Sequence, residues 1–175
     1  MTLNHQHFMQ VALALAKSHL GQTWPNPSVG AVVVRGGEII AEAATARGGR
    51  PHAETTALKK AGDQAKGATL YVSLEPCAHH GQTPPCVEAI IEAGIKTCVI
   101  ACGDTSELAG GGAAVLKADG IEVVVGVCEA EARLLNRGFF SVTEKKRPYI
   151  MMKIATSSDK KIAADVGERT QITGD

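Results

Sequence analysis

Residues 51–77, PHAETTALKKAGDQAKGATLYVSLEPC, contain the pattern that decides the fold. Residues 52–61 are predicted to form a helix, and Pro51 suits its start because proline is tolerated at the first helical position. Residues 69–74, Thr-Leu-Tyr-Val-Ser-Leu, are rich in strand-favouring side chains, which predicts a strand. A helix followed at once by an apolar strand indicates an α/β domain.

The same alternation extends in both directions along the chain. It predicts helices over residues 7–20, 84–93, 112–118 and 129–137, and strands over residues 29–34, 38–44, 97–101 and 123–127. The first two strands are joined by Gly36-Gly37 and form a hairpin. Strands that alternate with short helices predict a three-layer α/β/α fold around a mixed, largely parallel sheet.

The composition restricts the classes of function. Lys and Arg number 18, as do Asp and Glu, so no overall field attracts nucleic acid or a membrane surface. The apolar runs are only strand-sized, and no membrane span is expected. The five cysteines are an odd number, and we expect no secretory leader. A cytoplasmic protein with reduced thiols is therefore predicted.

Three side chains form an incomplete set of metal ligands. His52, Cys77 and Cys86 provide one imidazole and two thiolates, one ligand fewer than structural zinc sites use. Catalytic zinc sites leave the fourth position to water, and Glu54 is suited to handle the protons of that water. Because residues i and i+2 of a helix point about 200° apart, His52 and Glu54 face one metal only if His52 begins the helix.

His-x-Glu followed by Pro-Cys and a second cysteine resembles the motif of the zinc deaminases. Eight residues separate Cys77 from Cys86, and this insertion, with Thr23-Trp-Pro-Asn-Pro-Ser-Val-Gly30 upstream, closely resembles the riboflavin-biosynthesis pyrimidine deaminases. Gly67-Ala-Thr-Leu-Tyr-Val-Ser-Leu-Glu-Pro-Cys77 and Leu135-Asn-Arg-Gly-Phe-Phe140 are further matches. The resemblance implies a cytidine-deaminase-like fold with one zinc ion per chain.

The resemblance also implies a reaction and its substrate. It implies hydrolytic deamination of 2,5-diamino-6-(5-phosphoribosylamino)pyrimidin-4(3H)-one to the 5-amino-uracil product, a small-molecule substrate. Asn26 would hydrogen-bond the pyrimidine, and His79 and Gln82 would contribute to substrate binding. A homo-oligomer is compatible with the sequence, which does not decide it.

The chain departs from the family at positions expected to meet the ribose phosphate. Gln82 stands where the family commonly has Lys or Arg, Thr45 replaces a common histidine, and residues 104–107 replace a common Asp-Pro-Asn-Pro loop. Arg47 and Arg50 are alternative phosphate donors.

The resemblance divides the chain into residues 1–144, a deaminase domain, and residues 145–175, a linker and the truncated start of a reductase domain. Residues 147–159 and 170–174 resemble that start, and residues from 150 are predicted to form one strand and a polar loop. No nicotinamide cofactor and no reductase activity are expected from this chain. The strand, without a neighbour, would be disordered or pair with another chain.

Two other functions stay open from the sequence. One keeps the chemistry but acts on another nucleobase, nucleotide or tRNA, although few aromatics and a neutral charge disfavour RNA. The other is a catalytically weak, zinc-stabilised relic or binding module. Loss of Glu54 or of the open metal position would indicate the second, and neither has occurred.

Overall fold

A computed structural model describes residues 4–106, 109–162 and 167. The strands are β1 (Gly30–Arg35), β2 (Glu38–Ala44), β3 (Thr69–Val72), β4 (Thr97–Ile100) and β5 (Glu122–Val125). The helices are α1 (His5–Ser18), α2 (Ala53–Ala61), α3 (Cys86–Glu92), α4 (Gly112–Ala118), α5 (Glu129–Leu135) and α6 (Arg137–Lys145). Short 3₁₀ segments cover Arg47–Gly49 and Gly62–Ala65.

The five strands form one mixed sheet in the order β2-β1-β3-β4-β5. Strand β1 is antiparallel to both of its neighbours, whereas β3, β4 and β5 run parallel. All four residues of β3 are buried, as expected for a strand covered on both faces. The predicted mixed sheet is confirmed. Its three parallel strands, β3, β4 and β5, end at the same edge of the sheet, and Cys77 lies in the segment that follows β3.

Helices cover the sheet in two groups, which confirms the three-layer architecture. Helix α1 packs on β1 and contacts α5, while α2 packs on β1 and β2 and contacts α3, which in turn contacts α4. The buried core is dominated by Ala, Val, Leu and Ile, and its aromatic members are Phe8, Tyr71 and Phe140. The core is therefore aliphatic, in keeping with the 3% aromatic content of the sequence.

The last predicted helix, residues 129–137, corresponds to α5, which ends at Leu135; a further helix that was not predicted, α6, begins after Asn136. The Asn136 side chain is buried and bonds the backbone of Ser28 twice, accepting from its N–H at 3.0 Å and donating to its carbonyl at 2.9 Å. This anchorage to the loop before β1 fixes the break, and α6 then continues to Lys145. Sequence periodicity did not reveal these contacts, because they join residues far apart in the chain.

Residues 146–162 contain no strand, so the predicted strand from residue 150 is wrong for this part of the chain. Its apolar side chains, including Ile150 and Met152, are exposed, and an extended segment without a neighbouring strand has no backbone partners to hold it. Residues 170–174, which carried part of the predicted reductase start, lie outside the described residues. The boundary at residues 144 and 145 coincides with the end of α6, and the division into two domains stays a prediction.

None of the helices within the described residues is both long and apolar enough to cross a membrane.

Candidate active site

Two helix starts and one strand end place the predicted metal ligands. His52 precedes α2 with extended backbone angles (φ −68°, ψ 155°), and Glu54 follows in the first turn. Cys86 is the first residue of α3, directly after Pro85. The requirement that His52 begin its helix is therefore met, and the imidazole is free of the 200° separation that a regular helix would impose.

The three ligand atoms lie close enough together to hold one metal ion. Nδ1 of His52 is 3.2 Å from Sγ of Cys86 and 3.7 Å from Sγ of Cys77, and all three atoms lie within 4.8 Å of one another. Tetrahedral zinc bonds of about 2.0 Å to nitrogen and 2.3 Å to sulfur require an N···S separation of roughly 3.5 Å. The donor set therefore fits zinc in both chemistry and spacing.

The two thiols of the site differ in how readily they lose a proton. The thiol and backbone N–H of Cys86, together with His52, lower the pKa of Cys77 to about 4. The neighbouring Cys77 and burial raise the pKa of Cys86. One thiolate is thus already stabilised, and a cation that takes both sulfurs displaces the last proton.

The other cysteines do not form a second metal site. Cys98 and Cys102 are fully buried in the core, and Cys128 is half-buried beside Gln10. Burial raises the pKa of Cys102 to about 12 and that of Cys98 further. Among the described residues, His52, Cys77 and Cys86 are the one group of metal-ligand type that this arrangement brings together.

Glu54 is the buried carboxyl of the site. Its side chain is 4% exposed, and burial raises the pKa of the carboxyl, an effect that the nearby His52 opposes. A buried carboxyl with a raised pKa is better suited to accept and return a proton than a fully solvated one. Glu54 has the environment that a general acid–base group requires.

A cavity of about 240 Å³ opens above these residues. Five of the residues predicted for the site line it: Asn26, His52, Glu54, Cys77 and His79. The other lining residues are Pro25, Pro27, Val29, Thr45, Arg50, Leu74, Glu75, Asp104, Ser106, Ala109 and Phe139. A larger cleft of about 440 Å³ lies against α6 and residues 147–150, but none of the predicted site residues lines it.

Two of the predicted substrate-binding residues present polar atoms in the cavity wall. The Asn26 amide nitrogen donates to the carbonyl of Gly49 at 2.8 Å, which leaves its oxygen for another partner. A side chain at Gly49 would meet the Asn26 amide at 2.9 Å, so this glycine permits the contact. Nδ1 of His79 is buried without a hydrogen-bond partner in the described part of the chain.

The structure does not bring Gln82 to the cavity. Its side chain is exposed on the loop between the cysteines, and it is absent from the lining residues. Of the two arginines considered from the sequence, Arg50 lines the cavity. Arg47 is exposed and donates to the side chain of Gln22 at 2.9 Å. Glu107 lies outside the described residues.

Glu75 is a residue of the cavity wall that sequence reasoning missed. Its carboxylate accepts from the backbone N–H of Asp104 at 3.0 Å and of Ala113 at 2.8 Å. It therefore ties the loop after β4 to the start of α4. A side chain at Gly112 would meet the carbonyl of Pro76 at 1.9 Å, so α4 approaches this segment closely. In the sequence, the position of Glu75 directly before Pro76-Cys77 was the signal that could have identified it as a residue of the site.

Comparison with known proteins identifies the chain. Residues 2–102 match the model of the cytidine and deoxycytidylate deaminase zinc-binding region. The riboflavin biosynthesis protein RibD of Aquifex aeolicus is 52% identical over 169 residues, which cover 96% of this chain and 48% of the relative. Among solved structures, RibD of Acinetobacter baumannii superposes with a TM-score of 0.91 at 48% identity, over 97% of this chain and 48% of that chain.

A second solved structure comes from Thermotoga maritima and is described as a diaminohydroxyphosphoribosylaminopyrimidine deaminase/5-amino-6-(5-phosphoribosylamino)uracil reductase. It matches with a TM-score of 0.89 at 47% identity, over 97% of this chain and 50% of that chain. The chain thus spans about half the length of the relatives it matches. Because the family model covers more than half of the chain, the chain belongs to the cytidine and deoxycytidylate deaminase zinc-binding family.

Proposed function

We propose that this chain is a zinc-dependent hydrolase that deaminates 2,5-diamino-6-(5-phosphoribosylamino)pyrimidin-4(3H)-one to the 5-amino-uracil product in riboflavin biosynthesis. The observation that carries the proposal is the convergence of the His52, Cys77 and Cys86 ligand atoms, with His52, Cys77 and the buried Glu54 lining one cavity. Three protein ligands with an acid beside them are the arrangement of a catalytic zinc site.

One zinc ion per chain would be held by His52, Cys77 and Cys86. When bound, zinc supplies a Lewis acid that makes water a usable nucleophile near neutral pH. Nδ1 of His52 faces the two sulfurs, while its Nε2 lies 3.4 Å from the Asn26 amide nitrogen on the other side of the ring. His52 therefore offers Nδ1 to the metal.

Glu54 moves the protons of the reaction. It takes a proton from the attacking water as the water oxygen bonds to C2 of the pyrimidine, and it delivers this proton to the adjacent ring nitrogen. The second water proton reaches the amino group through the same carboxylate, the C2–N bond breaks, and ammonia leaves. Water is consumed and ammonia released, and no oxidant or reductant is needed.

Asn26 and His79 are proposed to orient the pyrimidine. The free oxygen of the Asn26 amide and the unpartnered Nδ1 of His79 supply one acceptor and one further polar atom in the cavity wall. A ring with exocyclic amino groups matches such a wall because each polar group placed there finds a partner. The choice of substrate is supported by two relatives that match nearly the whole chain, a riboflavin biosynthesis protein and a diaminohydroxyphosphoribosylaminopyrimidine deaminase/reductase.

Residues 1–144 are proposed to carry this activity. Residues 145–175 would form a linker and the start of a second domain, since relatives about twice as long match 96% and 97% of this chain. A nicotinamide cofactor is not part of the proposal for this chain. Its substrate is proposed to be a free small molecule and not nucleic acid.

The test is ammonia release by the zinc-loaded protein from the diaminopyrimidine phosphoriboside, cytidine and dCMP in parallel. Release from the first substrate, together with about one zinc per chain by atomic emission, is expected. Turnover of cytidine or dCMP without turnover of the phosphoriboside would end the riboflavin assignment while keeping the deaminase chemistry. Bound zinc with no turnover of any substrate would favour a relic.

A further inference from the structure

Arg50 lies at the mouth of the active-site cavity. It is half-buried, lines the same cavity as His52 and Glu54, and stands two residues before His52. Its Nη1 donates to the hydroxyl of Thr83 at 2.7 Å. That bond joins the segment before α2 to the loop between the two cysteines. It therefore fixes the position of the guanidinium between these two segments.

The guanidinium of Arg50 lies against the loop between the two cysteines. A Cβ atom at Gly81 would lie 3.6 Å from Nη2 of Arg50 and 3.5 Å from Nε2 of His79. The backbone N–H of Gly81 donates to the carbonyl of Thr83 at 3.3 Å, which closes the loop on itself. The side chains of Arg50 and His79 therefore both lie near Gly81.

The positive charge of Arg50 has no ionic partner within the described residues. No carboxylate oxygen in that part of the chain lies within 4.0 Å of its guanidinium. Two carboxylates of the cavity wall, those of Glu75 and Asp104, accept hydrogen bonds from the backbone. Glu75 accepts from two backbone N–H groups, and Asp104 accepts from the backbone N–H of Ser106 at 2.8 Å. Nη1 of Arg50 also lies 3.4 Å from Nε2 of His52, so the N–H donors on Nε and Nη2 of the guanidinium are the ones left for a ligand.

The other cationic candidates do not reach the cavity. Arg47 is bonded to Gln22 and exposed, and His80 is paired with Glu88 at 3.4 Å on the outer face of the loop. Arg50 is the one Lys or Arg among the described residues that line the cavity. An arginine fork matches the geometry of a phosphate group and binds it with two parallel hydrogen bonds.

We propose that Arg50, held by Thr83, binds the phosphate of the substrate and makes the site select the phosphorylated riboside over the dephosphorylated one. This inference rests on the proposed function, which supplies a phosphate on the substrate. It assigns the anion-binding role to the segment before α2, and not to Gln82 in the exposed loop. Gln82 is neutral, so it offers no charge to replace that of Arg50.

The test compares kcat and KM on the diaminopyrimidine phosphoriboside and on its dephosphorylated riboside, for the wild type and for Arg50→Ala, Arg50→Lys and Arg47→Ala. Arg50→Ala is expected to raise KM for the phosphorylated substrate about 10- to 100-fold, since a hydrogen bond to a charged group is lost. KM for the riboside and kcat on both are expected to change little. Arg50→Lys keeps the charge but not the fork and is expected to fall between wild type and alanine.

Arg47→Ala is the matched control and is expected to behave like the wild type on both substrates. Zinc content and circular dichroism of each variant establish that it is folded. An equal loss on both substrates in Arg50→Ala would overturn the proposal, because it would indicate a general disturbance of the site. A wild type that does not distinguish the two substrates would overturn it as well.

A binding measurement separates this inference from the proposed function. Ribose 5-phosphate is titrated into the wild type and into Arg50→Ala by calorimetry, with ribose as the uncharged comparison. Binding by the wild type that disappears in the variant supports the anion site even if neither pyrimidine is turned over. Absence of ribose 5-phosphate binding by the wild type, or equal binding by both proteins, contradicts it.

Discussion

The floor of the active site and its rim are built in different ways. The floor consists of His52, Glu54, Cys77 and Cys86, and the rim consists of Arg50 and residues 79–83. Cys86 is fully buried and Glu54 is 4% exposed, whereas Gln82 and Thr83 on the rim are exposed. The floor side chains start helices or follow a central strand, and most of the rim lies on a loop.

Because of this difference, we expect the floor to carry out the chemistry and the rim to recognise the substrate. Helix starts and strand ends are held by the packed core, so the positions of the floor side chains change little when surface residues change. A loop tolerates substitution, so the rim adjusts substrate preference through single side chains. Substitutions in the floor are therefore expected to affect catalysis, and substitutions in the rim to affect substrate affinity.

The largest effect is expected for Cys86→Ser, which removes a zinc ligand from the floor. A serine hydroxyl is not among the ligands that zinc sites use, so zinc content is expected to fall from about one per chain to near zero and activity to fall to background. Atomic emission and ammonia release measure both. Cys128→Ser, half-buried and outside the site, is the control and is expected to keep zinc and activity. Full activity of Cys86→Ser would show that the floor does not hold the metal.

Glu54→Gln is expected to retain zinc while kcat falls about 10²- to 10⁴-fold, the range for loss of a general acid–base group. The amide has nearly the shape of the carboxyl but does not carry protons. Steady-state kinetics with zinc analysis measure the effect, and Glu38→Gln on the exposed end of β2 is the matched control. A rise in KM with kcat unchanged would instead place Glu54 among the binding groups.

A smaller effect is expected for Glu75→Gln. Glu75 lines the cavity but belongs neither to the floor nor to the rim. The neutral amide loses one of the two backbone bonds to Asp104 and Ala113, a cost of about 1.5–3 kcal/mol for bonds to a charged group. KM is expected to rise about tenfold while zinc is retained, because the loop at 104–106 lines the cavity. Thermal unfolding and kinetics measure the two changes.

Glu122→Gln is the control for Glu75→Gln, since Glu122 is exposed and accepts only a side-chain bond from Thr97. Its free energy of unfolding is expected to change by less than about 0.5 kcal/mol. If Glu75→Gln unfolds at a lower temperature but has an unchanged KM, Glu75 stabilises the fold without positioning the loop.

The smallest effect is expected for Gln82→Ala on the rim. Its exposed side chain does not line the cavity, so KM for the phosphorylated substrate is expected to change by less than about twofold, within the usual range for surface substitutions. The same kinetic assay with Arg50→Ala provides the contrast. A tenfold rise in KM for Gln82→Ala would restore the substrate-binding role that the sequence suggested and would weaken that of Arg50.

Much of the fold was predictable because its elements carry local signals. Strand β2 and helix α4 have the predicted bounds, and the other strands and helices α1, α2, α3 and α5 differ from prediction by a few residues at their ends. Helix α6 was not predicted, and the end of α5 before Asn136 depends on hydrogen bonds from Asn136 to Ser28, 108 positions away. The strand predicted from residue 150 did not form because β-strands need a neighbouring strand, which the local sequence does not provide.

The sequence by itself determined the reacting groups: the type and spacing of His52, Glu54, Cys77 and Cys86 predicted a zinc site with an acid beside it. Only the tertiary structure decided which loop residues face that site. Nothing in the sequence distinguishes Arg47 from Arg50 as a phosphate donor. In the structure, Arg47 donates to Gln22 on the surface, whereas Arg50 lines the cavity. Metal ligation demands particular side chains in a recognisable order, whereas the direction in which a loop side chain points is set by contacts between residues distant in the chain.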